Sequence, residues 1–87
     1  MDNTRHIGVI GAGLMGHGIA LTLARAGHAV AITDPVAEAR ASVAARVAAS
    51  MRAMGLGDAE IAQTLPRIAV AETTAAAVKD ADFVFEA

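Results

Sequence analysis

Six residues near the amino terminus match the pattern G-x-G-x-x-G, with glycines at Gly11, Gly13 and Gly16. In this pattern the first glycine permits a tight turn, and the second lets the backbone approach a pyrophosphate because it has no Cβ. The third glycine lets the following helix pack closely on the preceding strand. The amino end of that helix presents unpaired N–H groups and a partial positive charge to the phosphates. The motif therefore predicts a phosphate-binding loop for a dinucleotide.

Three glycines at these spacings occur by chance in about one chain in twenty at this glycine content. The surrounding sequence therefore decides whether the motif indicates a dinucleotide-binding loop. The motif follows a short apolar run, His6–Ile10, and opens an amphipathic helical pattern. Asp34 lies 18 residues after Gly16, at the end of a second apolar run. A carboxylate at about this spacing accepts hydrogen bonds from the adenosine ribose and repels a 2′-phosphate, which favours NAD over NADP. FAD stays open because its binders share the loop, and Asp34 before Pro35 would also suit a helix N-cap.

The positions of these residues depend on an alternation of short apolar runs with helical patterns. The runs predict four strands, at His6–Ile10, Ala29–Thr33, Ile68–Ala71 and Phe83–Phe85. Helical patterns lie between them, and the expected order is strand, helix, strand, helix pair, strand, helix, strand. This order predicts an α/β fold with a doubly wound parallel sheet, right-handed crossovers and the strand order 3-2-1-4.

The helical patterns also predict which side chains face the core. The first helix, of about twelve residues, has an apolar stripe and a stop at Gly27. In the helix pair, the first helix begins after Pro35 and reaches Met54. The second helix is capped by Asp58 and runs through Leu65. The last helix is capped by Thr73 or Thr74. The expected stripes are Met15, Ile19, Leu23 and Ala26 in the first helix, and Val43, Val47, Met51 and Met54 in the next.

Composition argues against several other functions. Seven basic and nine acidic residues leave a net charge of −2, which disfavours binding to nucleic acid or an anionic membrane. The absence of cysteine excludes disulfides, thiolate zinc sites and a cysteine nucleophile. No apolar stretch reaches the roughly 18 residues of a bilayer span, and the expected location is the cytoplasm.

Structural roles are predicted for several other side chains. His17 is expected on an exposed helix face, and the three histidines share no ligand spacing, so no metal site is predicted. The core is expected to contain the methionines of the two stripes, Met15, Met51 and Met54. A turn is expected to contain Asp80 and Asp82, and the solvated flanks of a helix are expected to carry Arg40, Arg46 and Arg52.

The glycine motif lies within a longer segment, Ile7 to Ala20. Four further segments follow it along the chain: Ala26-Gly27-His28, Asp34, Arg67-Ile68 and Asp80 to Ala87. Together they resemble the amino-terminal part of the 3-hydroxyacyl-CoA dehydrogenase family, which includes 3-hydroxybutyryl-CoA dehydrogenases. The resemblance implies that residues 1–87 are the first part of an NAD-binding Rossmann-type domain. It also implies that Asp34 holds the adenosine ribose and that six residues line the pyrophosphate: Gly11, Ala12, Gly13, Leu14, Met15 and Gly16.

Family members oxidise the 3-hydroxyl of an acyl-CoA with NAD, in fatty-acid-type metabolism, using a histidine base oriented by a glutamate. The resemblance places these catalytic groups, and a helical domain for substrate binding and dimerisation, beyond position 87. This chain is therefore expected to bind NAD, to meet acyl-CoA only in the full-length enzyme, and to be inactive alone.

Two alternatives stay open. One is the 3-hydroxyacid dehydrogenase group, often NADP-preferring, which shares the G-x-G-x-M-G start, although Asp34-Pro35 weighs against it. The other is a non-catalytic nucleotide-binding module that self-associates, since Phe83, Val84 and Phe85 would lie at an open sheet edge. A homodimer is expected in either the full-length enzyme or the isolated chain.

Overall fold

The computed structural model describes residues 3–87, so the first two residues of the predicted domain lie outside it. Four strands share one sheet: β1 (His6–Ile10), β2 (Ala29–Thr33), β3 (Ile68–Val70) and β4 (Phe83–Glu86). Five α-helices connect them: α1 (Leu14–Arg25), α2 (Ala37–Ala41), α3 (Val43–Ala53), α4 (Asp58–Thr64) and α5 (Thr74–Val78). A short 3₁₀ helix, Leu65–Arg67, leads from α4 into β3.

The sheet is parallel throughout, with the strand order β3-β2-β1-β4. Both the α/β fold class and this order are as the sequence predicts. Strands β1 and β2 pair from His6 opposite Ala29 to Ile10 opposite Thr33, so their carboxyl ends lie side by side. The residues that follow those ends, the glycine motif and Asp34, are thereby brought to one edge of the sheet.

The core fills the space between one face of the sheet and helices α1, α3 and α4. Val9 and its register partner Ile32 are fully buried in it, together with Met51 of α3. Helix α5 covers the opposite face and approaches β1 closely, because a Cβ on Gly8 would lie 2.9 Å from the carbonyl oxygen of Ala77. Helices thus lie on both faces of the sheet, as doubly wound folds require.

The crossover between β2 and β3 contains one α-helix more than the sequence predicts. The expected helix up to Met54 is interrupted at Ser42, where α2 ends and α3 begins. The Ser42 hydroxyl donates to the carbonyl of Ala39 at 2.8 Å, and serine competes in this way with the regular helical hydrogen bonds. Gly57, not Asp58, is the N-cap of α4. The Thr73 hydroxyl does cap α5, accepting from Ala76 N–H at 3.0 Å.

The predicted inner face of α1 is wrong at Met15 and Ala26, which are exposed, and only partly right at Ile19 and Leu23. Met15 is 69% exposed, whereas the buried side of the helix carries Ala20, Leu21 and Ala24. The small alanines let the helix axis approach the sheet, while Ile19 and Leu23 form a second apolar stripe that is half-buried and packs against the edge of the core. Met54 is also exposed and only Met51 of the three methionines lies in the core. Among residues 3–87, no helix is long and apolar enough to cross a bilayer.

Candidate functional site

The glycine motif forms the turn from β1 into α1. Gly11 adopts φ of +109°, a left-handed conformation that side chains rarely adopt, and its N–H donates to the carbonyl of Thr33 at 2.8 Å. A Cβ on Gly16 would overlap the carbonyl oxygen of Gly11. The first turn of α1 therefore packs directly on the loop backbone, and both glycines are required by the space and conformation available to them.

Gly13 is the N-cap of α1, and a Cβ built on it would meet no atom within 4 Å. The two following residues, Leu14 and Met15, are also exposed, and the first turn of α1 carries no acidic side chain. The N–H groups of a first helical turn have no acceptor within the helix. The loop therefore leaves open space beside free donors and the positive end of the helix dipole, which fits a pyrophosphate.

Asp34 connects the end of β2 to this loop. One carboxylate oxygen accepts from Ala12 N–H and the other from Val36 N–H, each at 2.9 Å. These hydrogen bonds, first that of Ala12 and then that of Val36, hold the pKa of Asp34 below its usual value of 3.8, and the positive charge of Arg40 acts in the same direction. The carboxylate thus stays ionised beside the loop, at the position from which the predicted ribose contact would be made.

The alternative role of Asp34 as a helix N-cap is not observed. Val36 occupies the N-cap position of α2, with no side-chain cap. The contact from Asp34 to the N–H two residues later instead forms an Asx turn, which orients the carboxylate while Pro35 makes the bend.

Arg40 belongs to the site, although the sequence interpretation placed it on a solvated flank. Its guanidinium donates to the backbone carbonyl of Asp34 at 2.7 Å, and the side chain is half-buried. The six-residue spacing is one that a helical turn after Asp34-Pro35 could have suggested. The structure shows that α2 folds back far enough to bring this cation beside the carboxylate.

His17 is buried, contrary to the expectation of an exposed helix face. It is 5% exposed, with Nδ1 at 3.0 Å from the Gly13 carbonyl and Nε2 at 2.9 Å from the Ser50 hydroxyl. The prediction failed because Ser50 lies 33 residues away, and only the packing of α3 on α1 brings it to the ring.

The other two histidines lie away from the loop. His6 begins β1 and His28 immediately precedes β2, so both are at the amino end of the sheet. Nδ1 of His28 accepts from Arg5 N–H, and the Asp82 carboxylate accepts from His6 N–H at 2.9 Å, in keeping with a structural role. Within residues 3–87 no three histidine, aspartate or glutamate side chains are grouped as metal ligands.

An apolar groove adjoins the loop between α1 and β4. Phe85 forms one wall, and the second, half-buried stripe of α1 forms the other together with Leu14, which is 82% exposed. All four residues of β4 are exposed. Exposed apolar side chains of the groove and of β4 thus lie next to the open pyrophosphate space.

Comparison with known proteins gives one consistent result. Residues 6–87 match the family model described as 3-hydroxyacyl-CoA dehydrogenase, NAD binding domain. The human mitochondrial hydroxyacyl-coenzyme A dehydrogenase is 34% identical over 92 residues, covering 95% of this chain and 29% of that protein.

Solved structures give the same family. The (S)-3-hydroxybutyryl-CoA dehydrogenase of Ralstonia eutropha superposes with a TM-score of 0.84 at 34% identity, covering 98% of this chain and 31% of that one. The 3-hydroxybutyryl-CoA dehydrogenase of Escherichia coli gives a TM-score of 0.75 at 30% identity, covering 99% of this chain and 19% of that one. The chain thus spans less than a third of each of these relatives.

Proposed function

The chain belongs to the 3-hydroxyacyl-CoA dehydrogenase family as its NAD-binding domain, and from that premise we propose that it serves an enzyme that oxidises the 3-hydroxyl of an acyl-CoA to a ketone. The observation that carries the NAD-binding part of this proposal is the joint position of an open helix amino end and an ionised Asp34 at one edge of the sheet. The acyl-CoA part is supported by the family match. The acyl-CoA substrate is met in the full-length enzyme, beyond the residues described here.

The residues proposed to hold NAD divide between its pyrophosphate and its adenosine ribose. The loop from Gly11 to Gly16 binds the pyrophosphate through backbone N–H groups, and Asp34 accepts from the hydroxyls of the adenosine ribose. When bound, the nicotinamide supplies an acceptor for the hydride that leaves the substrate carbon. The role of this chain is to orient the cofactor.

We propose further that NAD is preferred over NADP. The Asp34 carboxylate is held ionised by two backbone donors, so a 2′-phosphate placed beside it would meet a fixed negative charge. Isothermal titration calorimetry of the 87-residue chain should give a dissociation constant for NAD at least about tenfold below that for NADP. Equal or tighter binding of NADP would contradict this assignment.

The isolated chain is proposed to be inactive. Hydride transfer needs a base within about 3 Å of the substrate hydroxyl, and the histidines are poorly placed for it. His17 has both ring nitrogens occupied, and His6 and His28 lie at the opposite end of the sheet. An assay with acetoacetyl-CoA and NADH should show no turnover by a chain that binds NAD in calorimetry. Measurable turnover would overturn this division of labour.

Self-association of the chain is a second proposal, carried by the edge strand β4. Phe83 is 57% exposed and Val84 49% exposed, on a strand that within residues 3–87 pairs only with β1. An exposed apolar edge strand invites pairing with a second chain. Light scattering coupled to size-exclusion chromatography should show dimers at high concentration, and Phe83→Lys should shift the population to monomer. A monomer at every concentration would contradict the proposal.

A further inference from the structure

The buried pair of His17 and Ser50 is not explained by the role of the glycine motif. His17 lies in the first turn of α1 and Ser50 near the end of α3, and the ring and hydroxyl are 2.9 Å apart. A buried imidazole is costly unless both nitrogens have partners. Here both do, and no buried side-chain polar atom of residues 3–87 lacks a partner.

The two hydrogen bonds define the proton on the ring. The Gly13 carbonyl can only accept, so Nδ1 of His17 carries the hydrogen and donates to it at 3.0 Å. In the neutral ring Nε2 is then an acceptor, and the Ser50 hydroxyl donates to it. Both hydrogen bonds are therefore donated in the same direction, from Ser50 of α3 to the His17 ring and from the ring to the N-cap residue of α1.

The atom at the end of this chain of hydrogen bonds matters for the cofactor. The carbonyl of Gly13 and the N–H of Leu14 belong to one planar trans peptide, in which they point in opposite directions. Gly13 O accepts from both the backbone N–H and the ring of His17, each at 3.0 Å. Fixing this carbonyl therefore fixes the direction of Leu14 N–H, a donor at the open amino end of α1.

We propose that His17 and Ser50 are positioning residues for NAD, because their hydrogen-bonded pair fixes the peptide between Gly13 and Leu14 that faces the pyrophosphate. Helix α3 thereby takes part in cofactor binding without touching the cofactor. This inference rests on the pyrophosphate site proposed above.

The test compares two serines of the same crossover. Ser50 and Ser42 are both half-buried, and each hydroxyl makes a hydrogen bond within the protein. Ser50→Ala should weaken NAD binding about tenfold in calorimetry, because it leaves a buried acceptor unpaired and frees the ring. Ser42→Ala should change it less than about twofold, and Ser50→Thr, which keeps the hydroxyl, should restore most of the affinity. His17→Ala combined with Ser50→Ala should bind NAD no more weakly than His17→Ala alone.

A spectroscopic measurement tests the pair without the cofactor. In ¹⁵N nuclear magnetic resonance, His17 should carry its proton on Nδ1, and the Nε2 resonance should shift in Ser50→Ala but not in Ser42→Ala. Equal NAD affinities of the two alanine variants, or a proton on Nε2, would overturn the positioning role while leaving NAD binding intact. If the unmodified chain fails to bind NAD, the proposed function fails and the positioning role fails with it.

Discussion

Three glycines of one segment should respond differently to alanine, because the structure gives each a different space. A Cβ at Gly16 overlaps the carbonyl oxygen of Gly11, whereas Cβ atoms at Gly13 and Gly18 meet nothing within 4 Å. Gly16 and Gly18 both lie inside α1, and Gly13 is its N-cap. Alanine at Gly16 therefore tests packing, alanine at Gly18 tests helix propensity, and alanine at Gly13 tests the space left for a ligand.

The magnitudes follow from these positions. Gly18→Ala should stabilise the chain by about 1 kcal/mol, the propensity difference in a helix interior, which corresponds to a rise of about 4–8 °C in Tm. Gly16→Ala has the same propensity gain but places a methyl against a backbone atom that cannot rotate away. Overpacking costs about 1–3 kcal/mol or more, and we expect a net loss of about 2 kcal/mol. A chain of this length has about 4–13 kcal/mol of stability, so the variant should still fold.

Gly13→Ala should have the opposite profile. Its backbone conformation, φ of −78° and ψ of −156°, is open to alanine. The loss of a good N-cap and the lower entropy of the unfolded chain are of similar size, so stability should change by less than about 1 kcal/mol. NAD affinity should nevertheless fall at least about tenfold, because the methyl occupies the space proposed for the pyrophosphate.

The assay is urea unfolding followed by far-ultraviolet circular dichroism, since the chain has no tryptophan or tyrosine for fluorescence. Calorimetry with NAD gives the affinities of the same three variants. A Gly16→Ala protein as stable as Gly18→Ala would refute the close packing of α1 on the loop. Unchanged NAD binding by Gly13→Ala would refute the placement of the pyrophosphate.

Two further predictions concern Asp34. Its pKa is lowered in the folded chain, so its contribution to stability is fully present above the usual aspartate value of 3.8 and is lost as the pH falls through the lower folded pKa. Asp34→Asn should therefore destabilise the chain at pH 7 and much less at pH 2 in urea unfolding, and a difference independent of pH would contradict this. Asp34→Ser removes the charge and leaves Arg40 beside the ribose position, so NADP affinity should rise in calorimetry. The added variant Arg40→Ala should abolish that rise, and persistence of the gain would show that the arginine takes no part.

Local patterns were enough to predict the fold and a dinucleotide-binding loop. These patterns are short-range features: the glycine spacing, the strand-like runs and the position of Asp34. Each reflects a physical requirement of the segment in which it lies. The sheet order then follows because parallel strands need helical crossovers of one hand. For this reason the strand order β3-β2-β1-β4 was correctly predicted. The family was predicted from the resemblance of the motif segments, and the family match confirms it.

Only the tertiary structure decided which side chains meet across segments. Periodicity shows that α1 has apolar residues every three or four positions, but it does not show which of two stripes faces the sheet. The observed choice of Ala20 and Ala24 over Met15 reflects the close approach of helix and sheet. His17 meets Ser50, and Arg40 meets Asp34, for a related reason. Burial of a polar group depends on partners that the packing of several elements supplies, and that packing is a property of the folded chain as a whole.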